Sequence, residues 1–359
     1  MLEETQASPS EEELKPYNTK LYLDGGQFFK DIQKFRAGAV RTGFANFDDK
    51  TDGLFPGLYV LGAIPSLGKT TFISQLADQV AAAMHHVLFF SLEMSRREML
   101  AKSLARINYK INPREARTGA ELFQTGWPKN ELAPAGQEYK KRVGDRVSII
   151  EGAFNLTVRD IRERAAAYIE HFGESPVVFV DYLQITGIEE RGYSDKQRVD
   201  ANMTELKLVS RDLGIPVIVV SSLNRASYLQ PIDMDALKES GGIEYTADVV
   251  LGMQLDLFND EEFLRERNPL VKREMVLNYK ARDPRRIELV CLKNRFGKSG
   301  FSCFYNYYPA YDYFEEIDED EADYDAVDWG AIDLDAVKAF TTQRATPKKK
   351  KPATKRTTR

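Results

Sequence analysis

The chain holds only two cysteines, Cys291 and Cys303, among 359 residues. Neither has a Cys or His neighbour at metal-ligand spacing, so a zinc module and a disulfide-stapled fold are excluded. The thiols read as free and buried or strand-borne, and the compartment as the cytosol. No stretch of about 18 apolar residues occurs, which leaves no membrane-spanning helix. The acidic opening MLEETQASPSEEELKPYN lacks the apolar core of a signal peptide. Tryptophan is scarce: Trp127 and Trp329 stand alone, without companions for an aromatic platform. His85 and His86 open a strand, where a structural role outweighs a catalytic one. No internal repeat is evident.

Net charge is small, 50 basic against 55 acidic residues or -5, and its distribution says more than its sum. Acidic residues gather between Asp312 and Asp335, whereas the last stretch, PKKKKPATKRTTR, is strongly basic. Segments so charged and so poor in aliphatics bury too little surface to fold alone. Residues 312–359 are therefore expected to form a disordered tail, acidic and then basic. Residues 1–36 are expected to hold a disordered arm and one short amphipathic helix, Gly25 to Phe35, which needs an apolar surface to lie on. The span 37–311 is long enough for one large α/β domain with a full core.

From Leu58 onward, short apolar runs rich in β-branched residues alternate with helical segments. LYVLGA, HVLFFSL, RVSII, PVVFVDYLQI, PVIVVSSL and DVVLGM read as strands. Lys69 to Met84, Ser95 to Ile107, Val158 to Phe172 and Lys196 to Leu213 read as helices, with a further one around Ala135 to Arg142. Such alternation predicts a mostly parallel sheet covered on both faces. Ile287 to Tyr307 breaks the pattern: two apolar runs joined by KNRFGKSG predict a β-hairpin. The aromatic run Phe304 to Tyr308 offers base-stacking surface but fits a packed final strand better.

The chemistry is concentrated after the first strand. Gly62-Ala63-Ile64-Pro65-Ser66-Leu67-Gly68-Lys69-Thr70 carries the G-x-x-x-x-G-K-[ST] phosphate-loop pattern, with Ala63 where the first glycine is strictly placed and Gly62 one position earlier. Backbone N–H groups of such a loop, from Ser66 and Gly68 to the helix start at Thr71, cradle phosphates. Lys69 supplies the counter-charge to the β- and γ-phosphates, and the Thr70 hydroxyl holds Mg²⁺. Asp181 closes the run Val177 to Val180 and suits a second Mg²⁺ ligand at a strand end, or a plain turn cap. Glu93 follows the next strand, where a carboxylate can orient attacking water or simply satisfy a helix start.

Phe90-Ser91-Leu92-Glu93-Met94-Ser95, Asp181-Tyr182-Leu183-Gln184 and Ser222-Leu223-Asn224-Arg225 resemble signature segments of the DnaB-type replicative helicase motor. Ser240-Gly241-Gly242-Ile243-Glu244 with Ala247-Asp248, Lys293-Asn294-Arg295, and Arg117-Thr118-Gly119 are similar to further ones. The resemblance covers about residues 37–310, in order, and is closest to a phage- or mobile-element-like branch. It implies a RecA-like P-loop core, ATP and Mg²⁺ as cofactors, and Glu93 as the catalytic glutamate. It also implies that Lys102 lies near the nucleotide, and that Lys293 and Arg295 reach the ATP of an adjacent subunit, Arg295 as arginine finger. Arg225, Lys238, Glu239 and Gly241 are implied at the DNA backbone in a central channel; one cation and free N–H groups can bind phosphates without reading sequence.

The expectation is thus an ATP-dependent 5′-to-3′ helicase working on single-stranded DNA as a homo-oligomer, a hexamer by resemblance, beside a primase or loader protein and away from any membrane. Two departures stand out. Ser222 replaces the glutamine usual in the family, and residues 1–36 stand in place of a helical collar. An ATP-gated DNA-binding switch of the RecA, KaiC or RadA kind, without unwinding, is the alternative, and a non-catalytic adaptor a second one.

Overall fold

A computed structural model describes residues 18–152, 156–183, 193–224, 227–237 and 240–318. Two short helices come first, α1 (Thr19–Asp24) and α2 (Gln27–Ala37), then α3 (Ala45–Thr51). Strand β1 (Gly57–Ala63) leads into α4 (Lys69–Ala82), and β2 (Val87–Ser91) into α5 (Arg96–Ile111), α6 (Gly119–Gln124) and α7 (Lys129–Arg142). Strand β3 (Val147–Glu151) precedes α8 (Val158–Phe172), β4 (Val177–Asp181) precedes α9 (Asp195–Leu213), and β5 (Pro216–Ser222) precedes α10 (Ser240–Thr246). The chain closes with β6 (Val249–Leu255), α11 (Glu261–Arg265), α12 (Pro269–Lys280) and strands β7 (Arg285–Asn294), β8 (Ser302–Tyr308) and β9 (Tyr313–Ile317).

Among the described residues nine strands form one sheet, in the order β3-β2-β4-β5-β1-β6-β7-β8-β9. From β3 to β6 every pairing is parallel, and from β6 to β9 every pairing is antiparallel. The parallel strands are the apolar runs of the sequence, and β1, β2, β4 and β6 are buried along their whole length. Helices cover both faces, so these strands need no polar alternation. Local chemistry fixes the helix starts. Ser95, Thr157 and Ser194 each form a capping box with the residue three places on, which satisfies N–H groups at the starts of α5, α8 and α9. Gly173 and Gly214 end α8 and α9 in left-handed conformation.

Three expectations change. The domain does not stop at Tyr311: residues Tyr313–Ile317 pair with β8 as an edge strand, and Asp312 is buried at the turn before it. The acidic run therefore begins inside the fold, because Phe314 and Ile317 supply the buried positions that its overall charge obscures. The helix expected from Gly25 to Phe35 is α2, and a second short helix, α1, precedes it in the stretch read as a disordered arm, the two separated at Gly26 with φ +68°. Helix α12, unread in the sequence, starts at an Asn268 cap with Pro269 in its first turn. Trp127 packs with Leu104 and Ala135 in a small second core, and His86 binds Glu174 at 2.8 Å; both are structural. Trp329 lies outside the described residues.

Candidate active site

Strand order brings the predicted groups to one place. The carboxyl ends of β2, β4, β5 and β1 lie side by side, with Ser91 level with Asp181 and Ala63 level with Ser222. Glu93, Asp181, Ser222 and the loop after Ala63 therefore stand in a row along the carboxyl edge, the usual ligand position of an open parallel sheet. They line a cleft of about 460 Å³ with Ser66, Gly68, Lys69, Thr70, Thr71 and Lys102.

The loop reverses direction through two left-handed residues, Ser66 with φ +67° and Gly68 with φ +88°. At Gly68 a side chain is barred twice over: its Cβ would also lie 2.8 Å from the Tyr307 ring. Unlike α5, α8 and α9, helix α4 carries no side-chain cap, so its first N–H groups remain open to an incoming acceptor. Lys69 Nζ donates to the carbonyls of Ala63 at 3.0 Å and Ile64 at 3.4 Å. Burial lowers its pKa, opposed by the charges of Asp181 and Glu93.

Thr70 Oγ1 donates to Asp181 Oδ2 at 2.7 Å. Asp181 is 1% exposed, and burial pushes its carboxyl up to about 6 against the Thr70 hydrogen bond. A desolvated carboxylate beside a hydroxyl is a fitting oxygen donor pair for a hard divalent cation. Glu93 sits in a tight turn made by Ser91, whose hydroxyl donates to the Met94 carbonyl at 2.5 Å. The turn leaves Glu93 exposed at the cleft, close enough to oppose ionisation of Asp181 electrostatically.

Four residues escaped the sequence reading, one of which, Tyr307, lines the cleft while the other three contact its loop and lining residues. Tyr307 of β8 covers Gly68, and Asp312 meets Lys102 Nζ at 2.5 Å and Thr71 Oγ1 at 3.1 Å. Lys280 Nζ donates to the Pro65 carbonyl at 2.9 Å, and Arg285 Nη1 to that of Ser66 at 3.0 Å. Gly62 is a correction in the other direction. It lies inside β1 rather than in the loop, where a Cβ would come within 2.3 Å of Leu237. Its smallness lets Leu237 pack on the strand and leaves phosphates to the residues after it.

Lys293 and Arg295 are elsewhere. Asn294 is level with Val249 and, through it, with Tyr59 near the start of β1, so both cations lie at the amino edge of the parallel strands. At about 3.3 Å per residue, the length of β1 puts them on the order of 20 Å from their own phosphate loop. Arg295 Nη2 donates to the Tyr245 carbonyl at 2.9 Å and Nη1 reaches Asp248 Oδ1 at 3.4 Å, while Lys293 Nζ donates to the Glu244 carbonyl at 2.5 Å. At the hairpin tip Phe296 folds back among Phe35, Phe55 and Tyr59. Arg225, Lys238 and Glu239 lie outside the described residues, as does Gln184; Gly241 is in the first turn of α10.

A phosphate loop at the carboxyl edge of a parallel sheet that continues into antiparallel strands defines a RecA-like P-loop nucleotide-binding domain. The family model of the DnaB-like helicase C terminal domain matches residues 39–316, and the chain belongs to that family. Replicative DNA helicase DnaB of Haemophilus influenzae is 33% identical over 230 residues, 62% of this chain and 47% of that protein. That of Leifsonia xyli is 32% identical over 237 residues, 64% of this chain and 48% of that protein. The chain thus spans about half the length of these curated relatives. Among solved structures, an ATPase domain superposes with TM-score 0.66 at 19% identity, covering 84% of this chain and all of that one. A DnaB-like replicative helicase, described with its interactions with primase, gives 0.65 at 19% identity, over 84% of this chain and 68% of that one.

Proposed function

We propose that the chain is an ATP-hydrolysing DNA motor that works as a ring, of six copies, on single-stranded DNA in replication. One observation carries the reading: the two halves expected of a catalytic site lie at opposite edges of the same sheet. The carboxyl edge has phosphate loop, carboxylates and open helix N–H groups but lacks the finger. The amino edge has Lys293 and Arg295, held on backbone carbonyls and Asp248, with no phosphate loop to serve. A neighbouring copy would bring the two together. Helix α2 supports assembly, since Phe29 and Ile32 on it are 61% and 44% exposed.

In this reading the α4 N–H groups, Ser66, Gly68 and Lys69 grip the phosphates, and Thr71 and Lys102 border them. Glu93 orients and deprotonates the attacking water, and Arg295 of the neighbour stabilises charge spreading over the transferred phosphoryl group. Thr70 and Asp181 would hold Mg²⁺, which supplies charge neutralisation on the phosphates. The DNA-contacting residues would be Arg225, Lys238, Glu239 and Gly241. Leu237, fully buried, ties that segment to Gly62 one residue before the end of β1, a short mechanical route from phosphate loop to DNA. A primase or a loader is the partner class that the relatives suggest, and 5′-to-3′ movement rests on the resemblance.

Ser222 favours a second reading. It lies on the cleft wall level with Ala63, where the shorter side chain weakens phosphate sensing and suits an ATP-gated clamp. Strand displacement from a forked duplex decides between them. DNA-stimulated ATP turnover with strand separation is expected; turnover without separation would support the clamp, and no turnover the adaptor.

A further inference from the structure

Four consecutive carbonyls of the phosphate loop, Ala63 to Ser66, are held by three cations. Lys69 takes the first two, Lys280 the third and Arg285 the fourth. Lys69 has the field of Asp181 and Glu93 to balance it, and Arg285 that of Asp283, but among the described residues neither Lys280 nor Arg285 meets a carboxylate within ion-pair distance. A neutral carbonyl replaces only part of the hydration lost, so a cation left this way is costly. Burial lowers the pKa of both, and the three charges also oppose one another: Arg285 disfavours charge on Lys280, and Lys280 on Lys69. Arg285 has in addition a buried Nε with no hydrogen-bond partner among the described residues, and its guanidinium lies 5.4 Å from the Tyr307 ring centre. Tyr307 in turn covers Gly68.

Gathering three like charges around one loop is unfavourable until an anion arrives. We propose that Lys280 and Arg285 form a second, cis-acting phosphate-binding pair of this site, exchanging their loop carbonyls for oxygens of the bound nucleotide's phosphates. The pair comes from the end of α12 and the start of β7, so the antiparallel half of the sheet contributes charge directly to nucleotide binding. Their own-subunit origin separates them from Lys293 and Arg295, which face the opposite way. The inference rests on the nucleotide-site reading above.

A plain brace for the loop is the competing role, and glutamine separates the two because its amide still donates to a carbonyl but carries no charge. The test titrates a fluorescent ATP analogue into the full chain, with inorganic triphosphate as competitor, at several salt concentrations. Wild type, Lys280→Gln/Arg285→Gln, the charge-keeping Lys280→Arg/Arg285→Lys and Lys69→Ala are compared. The glutamine pair should bind both ligands at least about ten-fold more weakly, with a flatter salt dependence, since screened charge–charge attraction has been removed. The charge-keeping pair should recover most of the affinity. Wild-type affinity and salt slope in the glutamine pair would overturn the proposal while leaving the nucleotide site intact, provided Lys69→Ala loses binding. Failure of the wild type to bind either ligand would overturn both. If the double variant does not fold, the single Lys280→Gln serves, with about a three-fold loss expected and an unchanged slope contradicting the pair.

Discussion

The two edges of the sheet are built differently. At the carboxyl edge, polar groups are poised for a ligand: α4 is uncapped, Asp181 is buried with a raised pKa, and three cations crowd one loop. At the amino edge the cations are already satisfied. Lys293 and Arg295 rest on carbonyls at the end of α10, where the helix dipole favours positive charge, and Asp248 accepts from Arg295, Lys207 and the backbone of Leu58. On the proposed reading, one edge waits for a ligand and the other offers its cations to a neighbour, so that a single chain would be half of two different sites.

That contrast breaks most visibly at Arg295. Arg295→Ala should cut ATP turnover by about 10³–10⁵-fold, the range for an arginine finger, while leaving ATP binding nearly unchanged, because its own loop is far away. Steady-state turnover beside equilibrium nucleotide titration checks both halves; weakened binding with normal turnover would reverse the assignment. Glu93→Gln comes next. Turnover should fall by about 10²–10⁴-fold with ATP affinity retained, since the carboxylate acts on water and not on the phosphates. Normal turnover would place the base elsewhere.

Smaller effects probe how each edge is held. Asp248→Asn removes the charge beneath Arg295 and Lys207, and turnover should drop by about five- to ten-fold with KM unchanged, an effect on the scale of one charge-assisted hydrogen bond. Equal turnover would mean that Tyr245 and Glu244 alone fix the cations. Gly62→Ala forces a methyl against Leu237 and should cost about 1–3 kcal/mol in urea unfolding, the range for overpacking a core. A neutral result would show that the Leu237 segment gives way freely, and that the link from phosphate loop to DNA loop is slack.

How much of this was legible follows chain order. Asp181 and Glu93 could be placed because each follows an apolar run, but placement alone left a turn cap or a helix start open, and their proposed roles came from the nearby loop pattern and the resemblance. Thr70 and Lys69 came with the loop pattern. Gly62 was claimed by two patterns, the strand run LYVLGA and the phosphate loop, and its pairing with Ser221 assigns it to the strand. Tyr307, Asp312, Lys280 and Arg285 could not be found locally, because the end of α12 and the antiparallel strands, more than 200 residues downstream, come back to the loop. Asp312 was also hidden by its acidic neighbours, which made a buried partner of Lys102 look like the start of a tail. The Asn268-Pro269 start of α12 was a readable signal, and with it Lys280 at the helix end would have been a candidate.

The separation of the two edges is tested most directly by mixing. On this account Arg295→Ala and Lys69→Ala chains should each be inactive alone, the first for want of the finger and the second for want of the phosphate counter-charge. In a mixed assembly some intact loops face intact fingers across an interface. Partial ATP turnover should therefore return on mixing, rising with the proportion of such junctions. No recovery, with co-assembly confirmed by pull-down of differently tagged chains, would contradict a site shared between copies and place Arg295 in its own subunit's site or outside catalysis.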